Sequence, residues 1–149
     1  MSGRARAVRE RLNISPQEYG EMERVGAMYY QQGNFEKART IFEGLVELDP
    51  GNGTAHSALG GLLTLQQDDE AAIEHLNEAI RLNPSQIAPY VNLGEIFIRR
   101  QKIVDAAANL KKAIELDPDE KNACANRARA IATEIDEIFE FEKKNYQQR

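Results

Sequence analysis

The sequence contains no tryptophan, one cysteine and only five prolines among its 149 residues. The lone Cys124 cannot form a disulfide within the chain, which fits a reducing compartment, and we predict a cytoplasmic location. No stretch approaches the roughly 20 apolar residues that a membrane-spanning helix needs, so we expect no membrane insertion. Proline and glycine are few and regularly placed, whereas an all-β chain needs many turns rich in both. The composition therefore predicts an all-α fold, and the length predicts one folded unit.

Basic residues are scarce between positions 17 and 84. The formal net charge is −5, and residues 17–84 hold twelve acidic but only four basic side chains. Such a surface repels phosphate backbones, and its lysines and arginines form no stripe interleaved with aromatic residues, so we expect no nucleic-acid partner. Residues 1–14 carry four arginines and form a basic N-terminal arm or short helix. We expect this arm to be solvated rather than docked on an acidic neighbour.

A repeat of 34 residues organises the middle of the chain. The tripeptide Leu-Asp/Asn-Pro occurs at residues 48–50, 82–84 and 116–118, always 34 residues apart. Three further positions that keep this period are Gly26, Gly60 and Gly94, then Ala38, Ala72 and Ala106, then Phe42, Leu76 and Leu110. A constant period of this length indicates a repeat architecture in which each unit packs on its neighbours.

These residues resemble the tetratricopeptide repeat, whose pattern of Leu-Gly, aromatic, alanine and proline positions they follow over residues 17–118. The resemblance implies that each repeat is a hairpin of two antiparallel helices. Three such hairpins, 17–50, 51–84 and 85–118, would make up residues 15–118. The fold implied is a right-handed α-solenoid with a concave and a convex side.

The repeated glycines also have a physical explanation. Glycine inside a helix costs about 1 kcal/mol relative to alanine, so each one needs a packing reason. We expect each glycine to let two helices approach closely, with the repeated alanine as its small neighbour on the facing helix. Each repeated proline should end the second helix of its hairpin, because proline lacks an N–H and clashes with the preceding turn.

Sequence signals also predict the limits of the helical region. Ser15, Pro16 and Glu18 follow the pattern of an N-cap, a first-turn proline and a capping-box acid, so the first repeat helix should start there. Residues 119–149 are predicted to form one long amphipathic capping helix. Its apolar stripe is wider than one hairpin can cover, so the helix either shields the last repeat or also docks a second chain. The candidate docking residues are Ile135, Ile138, Phe139 and Phe141.

The resemblance further implies a binding surface on the first helix of each hairpin. Carried over by position, the peptide-binding residues are Glu23, Ala27, Tyr30, Gln31, Thr54, Ser57, Gly61, Thr64, Leu65, Ala88, Val91, Glu95, Ile98 and Arg99. Some members of this set are expected to pack between helices instead. The clamp of lysines, asparagines and an arginine with which heat-shock co-chaperones hold acidic peptide ends is absent. Glu23 and Glu95 would repel such an end, so we expect an internal, extended and partly apolar peptide segment.

Nothing in the sequence suggests catalysis. The loop 50–54 precedes a helix but has neither the lysine nor the preceding strand of a phosphate-binding loop. We expect His56 to pack inside its repeat and His75 to face solvent, and no base lies near Cys124 in the pattern. The sequence therefore predicts a protein that is not an enzyme and that uses no cofactor or metal.

The order of the elements is similar to that of the class II chaperones of bacterial type III secretion, which cradle translocator proteins. A small chain with an N-terminal arm, three repeats and a long final helix carries this similarity, and residues 31–38 resemble the first inter-helix turn of those chaperones. The regular Asp/Asn-Pro punctuation departs from their degenerate repeat ends. The implied function is binding of a protein or peptide partner in the concave groove. The alternative is a structural adaptor that assembles through the N-terminal arm and the final helix, for example as a homodimer.

Overall fold

The structure, a computed structural model, describes residues 7–147. Arg4 and Arg6 of the predicted basic arm lie outside these residues. All regular secondary structure in the described part is helical. The helices are α1 (Val8–Arg11), α2 (Pro16–Gln31), α3 (Phe35–Leu48), α4 (Gly53–Leu65), α5 (Asp69–Leu82), α6 (Ala88–Arg99), α7 (Ile103–Glu115) and α8 (Ala123–Gln147). The chain divides into two compact units, residues 1–84 and 85–149, which is a finer division than the single unit that its length predicts.

The first unit contains two helical hairpins, α2 with α3 and α4 with α5, and α3 packs against α4. Helix α2 begins where the sequence predicts. The Ser15 hydroxyl accepts a hydrogen bond from the Glu18 backbone N–H at 3.1 Å, and the Glu18 carboxylate accepts one from the Ser15 N–H at 2.8 Å. This reciprocal pair satisfies two donors that the first helical turn would otherwise leave unpaired.

The short helix α1 contacts the first hairpin. The Arg9 guanidinium lies 3.6 Å from the Asp49 carboxylate and 5.1 Å from the centroid of the Tyr19 ring. Tyr19 is itself buried, and its hydroxyl donates to the Leu45 carbonyl at 3.0 Å. Burial and the negative charge of Asp49 raise the pKa of Tyr19 to about 12. The prediction of a solvated arm is therefore wrong for Arg9, because an acidic and an aromatic side chain hold it.

The second unit contains the hairpin of α6 with α7, and α8 packs against both helices. The Asn122 side chain accepts from the backbone N–H of Ala125 at 3.1 Å and so caps the start of α8. Asp117 accepts from the N–H groups of Lys121 and Asn122 and lies 3.0 Å from the Arg129 guanidinium. Burial opposes the negative charge, but the hydrogen bonds from Arg129 and these two N–H groups outweigh it and lower the pKa of Asp117. Together these contacts fix the beginning of α8.

The three hairpins have the same turn between their helices. Gly33, Gln67 and Gln101 stand one period apart and have φ angles of +73°, +60° and +59°. This left-handed conformation favours glycine, but only the first turn has a glycine at this position, and the other two have glutamine. The predicted helix ends are also confirmed, since α3 and α5 both stop two residues before the repeated prolines Pro50 and Pro84.

The repeated glycines allow close contact between the two helices of a hairpin. A Cβ added to Gly60 would lie 2.7 Å from the Leu76 side chain, and one added to Gly94 would lie 2.7 Å from that of Leu110. The nearest neighbour is therefore the large repeated residue, not the alanine that we expected. The reason is that a large side chain fills the space left by the missing Cβ. The three alanines are nevertheless fully buried.

Candidate functional site

On α2, the predicted surface residues are accessible. Ala27, Tyr30 and Gln31 are exposed, and Glu23 is half-buried. The Tyr30 ring packs edge to face on Phe35, with ring centroids 5.7 Å apart and planes at 61°. Helix α2 therefore exposes the large aromatic side chain of Tyr30 one turn after the small side chain of Ala27.

On α4, only part of the predicted set is accessible. Thr54 is exposed, Leu65 is 52% exposed, and Gly61 is half-buried. Ser57 and Thr64 are buried, and the Thr64 hydroxyl donates to the Gly60 carbonyl at 2.8 Å. These two residues do not belong to an open surface, because they face the helices packed around α4.

A depression of about 480 Å³ lies beside the turn between α2 and α3. Its lining consists of Gln32, Gly33, Asn34, Phe35, Glu36 and Gln66. Gln66 connects one acidic and one basic side chain there. Its side-chain N–H donates to the Glu36 carboxylate at 3.0 Å, and its side-chain oxygen accepts from the Arg39 guanidinium at 3.4 Å. Sequence reasoning missed this polar rim because it considered only positions on the first helices.

In the second unit, α6 places its predicted residues differently. Ala88, Glu95 and Ile98 are half-buried and Arg99 is exposed, but Val91 is only 1% exposed. The prediction that Val91 belongs to the peptide-binding surface is therefore wrong, because its side chain belongs to the core.

Glu95 has a partner that the sequence did not indicate. Its carboxylate lies 2.6 Å from the guanidinium of Arg127 on α8, and the same guanidinium donates to the Asn92 amide oxygen at 3.5 Å. The prediction that Glu95 repels an acidic peptide is weakened, because Arg127 compensates its charge. Finding this pair required knowing that α8 packs against α6.

Helix α8 exposes most of its predicted docking residues. Ile135 is half-buried, whereas Ile138, Phe139 and Phe141 are 59%, 54% and 67% exposed. The C-terminal part of the helix thus exposes apolar side chains among its charged ones and is not fully covered by the last hairpin.

His56 and His75 face each other within the hairpin of α4 and α5. Their Nδ1 atoms lie 3.0 Å apart, and His56 Nε2 lies 2.9 Å from the Pro50 carbonyl oxygen. A carbonyl only accepts, so Nε2 of His56 carries the proton. When the His56 ring is uncharged, its Nδ1 is an acceptor, and Nδ1 of His75 donates to it.

His56 packs inside its repeat, as predicted, but His75 is half-buried rather than solvent-facing. Two histidines with their Nδ1 atoms in a mutual hydrogen bond do not form a metal site. No group of three possible metal-ligating side chains occurs among residues 7–147.

The histidine pair predicts a pH dependence of stability. Burial and the charge of His56 lower the pKa of His75 below 6.5, although Glu74 and Glu43 act in the opposite direction. The unfolded chain therefore takes up this proton at a higher pH than the folded chain does. The contribution is fully present above pH 6.5 and decreases as the pH falls.

We expect the urea midpoint of the first unit to decrease between pH 7 and pH 5, and His75→Gln to reduce this decrease. The measurement is urea unfolding followed by circular dichroism at both pH values. Asn77→Gln, an exposed change on the same helix, should keep the wild-type pH dependence. An unchanged pH dependence in His75→Gln would show that this pair does not titrate with folding.

Comparison with known proteins identifies the class to which these hairpins belong. Two sequence profiles, both described as tetratricopeptide repeat, match residues 28–87 and 87–120, which together make up more than half of the chain. The chain belongs to the tetratricopeptide repeat family.

Several solved structures are similar to this chain in fold. The type III secretion translocator chaperone SycD of Yersinia enterocolitica matches with a TM-score of 0.78 and 17% identity, covering 87% of this chain and 98% of SycD. PcrH of Pseudomonas aeruginosa, in complex with the chaperone binding region of PopD, matches with a TM-score of 0.75 and 19% identity, covering 82% of this chain and 93% of PcrH. At this identity the similarity shows the fold alone.

Curated relatives are much longer proteins. Human protein O-mannosyl-transferase TMTC1 is 31% identical over 109 residues, which are 70% of this chain but 12% of the transferase. The chain spans 5% of the length of the UDP-N-acetylglucosamine–peptide N-acetylglucosaminyltransferase of Giardia intestinalis and 18% of that of heat shock protein STI1 of Saccharomyces cerevisiae. No helix in the described part of this chain combines the length and apolar character required to cross a bilayer.

Proposed function

We propose that the protein binds an extended, partly apolar segment of a partner protein through α2 and α4, the first helices of the two hairpins of its first unit. The observation that carries this proposal is the pairing of small and large residues on those helices. On α2, Ala27 is followed one turn later by exposed Tyr30, and on α4, Gly61 is followed one turn later by exposed Leu65. The small residue leaves room for a peptide backbone, and the large one offers an apolar contact to its side chains.

The charges on these helices favour an internal peptide segment over an acidic end. Glu23 is half-buried on α2 and has no ion pair in the part of the chain that the structure describes. It would therefore repel a carboxylate placed near Ala27.

Structural relatives support binding rather than catalysis. The PcrH structure contains the chaperone binding region of PopD, and SycD is a translocator chaperone. A chaperone-like role in the cytoplasm agrees with these proteins and with the single cysteine. The transferase activity of TMTC1 concerns a protein of which this chain covers 12%.

An adaptor role is the second candidate, because α8 exposes Ile138, Phe139 and Phe141. The described part of the N-terminal arm is less suited to docking, since Arg9 is already held by Asp49 and Tyr19.

Peptide selection tests the leading proposal. Peptides are selected from a random phage-displayed library on the full chain, and their affinities are measured by fluorescence anisotropy. Ala27→Arg places a long charged side chain on the proposed surface and should weaken binding roughly tenfold or more. Ala108→Arg, the same change at an exposed position of α7, should leave the affinity unchanged. Equal affinities for both variants would contradict binding on α2.

A further inference from the structure

Helix α8 has the register of the first helix of a fourth hairpin. Ala128 stands one period after Gly94, and the position one period after the left-handed Gln101 is 135. The first three hairpins turn at that position, but α8 continues without interruption to Gln147. Within the described residues, no second helix follows α8 to complete this hairpin.

The face that a second helix would cover is incompletely buried on α8. On α4, the Leu63 and Thr64 side chains are buried at 1% and 3% exposure, and α5 packs along this helix. The equivalent residues of α8, two periods later, are Ile131 and Ala132, and both are only half-buried. Ala128 is fully buried, so the uncovered part of α8 begins one turn after it.

An apolar groove of about 240 Å³ runs between α7 and α8 along this face. Its floor consists of Ala107, Leu110, Ile114, Ala132 and Ile135, and its rim consists of Lys111, Glu115 and Asp136. One helical turn beyond Ile135, the half-exposed Phe139 extends the apolar surface. The groove therefore has the composition expected of a seat for an amphipathic helix.

The charges around the groove indicate which kind of helix would bind in it. The rim of the groove has two carboxylates, Glu115 and Asp136, and one lysine. Residues 130–142 of α8 contain five acidic side chains and no basic one, and three of the five, Glu134, Glu137 and Glu142, lie beside Phe141 on the other side of the helix. An antiparallel α8 from a second copy would bring two such acidic segments together, which is unfavourable. The one lysine on the rim, Lys111, is near Glu115, with 3.9 Å between their charged atoms. A helix with lysines or arginines beside its apolar face would instead be attracted.

We propose that the groove between α7 and α8 binds a basic amphipathic helix of a partner protein, which takes the place of the second helix of the fourth hairpin. The apolar side chains of that helix contact Ile135 and Phe139, and its cationic side chains lie near Asp136 and Glu115 on the rim. This surface is distinct from the proposed peptide surface on α2 and α4.

Two labelled peptides test the proposal against the full chain. One has leucines spaced three and four residues apart with lysines between them, and the other has glutamate in place of every lysine. We expect the lysine peptide to bind, to gain helical circular dichroism on binding and to exceed the affinity of the glutamate peptide roughly tenfold or more. Equal binding of the two peptides, or of neither, would overturn the proposal.

A pair of phenylalanine variants locates the binding site. Phe139 and Phe141 are both exposed but are two residues apart, so they point to opposite sides of α8. Phe139→Ser should weaken binding of the lysine peptide roughly tenfold or more, whereas Phe141→Ser should not change it. Equal effects of the two variants would show attraction to the acidic helix without use of the groove.

Sedimentation velocity tests the alternative that a second copy of the chain binds in the groove. A dimer that Phe139→Ser dissociates would assign the groove to a second copy and overturn the proposal. Ala27→Arg should leave binding of the lysine peptide unchanged, so failure of this proposal and failure of the proposed function are separable.

Discussion

Replacement of Gly60 with alanine should lower the free energy of unfolding of the first unit by about 2 kcal/mol, although alanine favours a helix by about 1 kcal/mol. The new Cβ would lie 2.7 Å from two side-chain atoms of Leu76 and 3.2 Å from its backbone nitrogen. Leu76 is fully buried, so its side chain cannot turn outward into solvent. Helices α4 and α5 must therefore separate slightly. Urea unfolding followed by circular dichroism measures the loss.

Gly44→Ala is the matched control for this experiment. Gly44 lies inside α3, and a Cβ added to it would have no atom within 4 Å. Only helix propensity then changes, and the first unit should gain about 1 kcal/mol. The two glycine replacements should thus have opposite signs. A gain in both would contradict the close contact between α4 and α5.

Leu76→Ala should cost about 3 kcal/mol, because it removes a fully buried side chain and leaves a cavity beside Gly60. The same unfolding experiment measures this loss. Leu65→Ala, which shortens a leucine that is 52% exposed, is the control and should have a much smaller effect.

The two changes should not be additive. In the Leu76→Ala background the methyl group of Gly60→Ala has room, so the second change should turn from a loss into a gain of about 1 kcal/mol. The coupling between the sites would then be about 3 kcal/mol. Additive effects would show that Gly60 and Leu76 do not constrain each other.

Much of the fold could be predicted from the sequence because it depends on local signals. The capping box at Ser15 and the prolines at the helix ends each act within one hairpin. The period of 34 residues shows directly that the hairpin is repeated. The all-α architecture and the family were therefore accessible before the structure. The role of Ala38 and its equivalents was not, because sequence spacing does not say which side chain on the facing helix fills the space beside a glycine.

The candidate site could be predicted only in part. A residue's position in the repeat indicates which helix it lies on, but neighbouring helices decide whether it is accessible. Val91 is buried and Glu95 is paired with Arg127 because of tertiary packing. The contact between His56 and His75 was also missed, because it depends on how α4 and α5 align, and only the structure shows that Gly60 lies against Leu76.

The spacing of the glycine contacts has a consequence for folding kinetics. In each hairpin, the repeated glycine lies against a large side chain 16 positions later in the sequence. The pairs are Gly26 and Phe42, Gly60 and Leu76, and Gly94 and Leu110. Loops of this size close with a modest entropic cost, and chains dominated by local contacts reach the native state quickly. Each hairpin can therefore nucleate through its own local contacts, without contacts between distant parts of the chain.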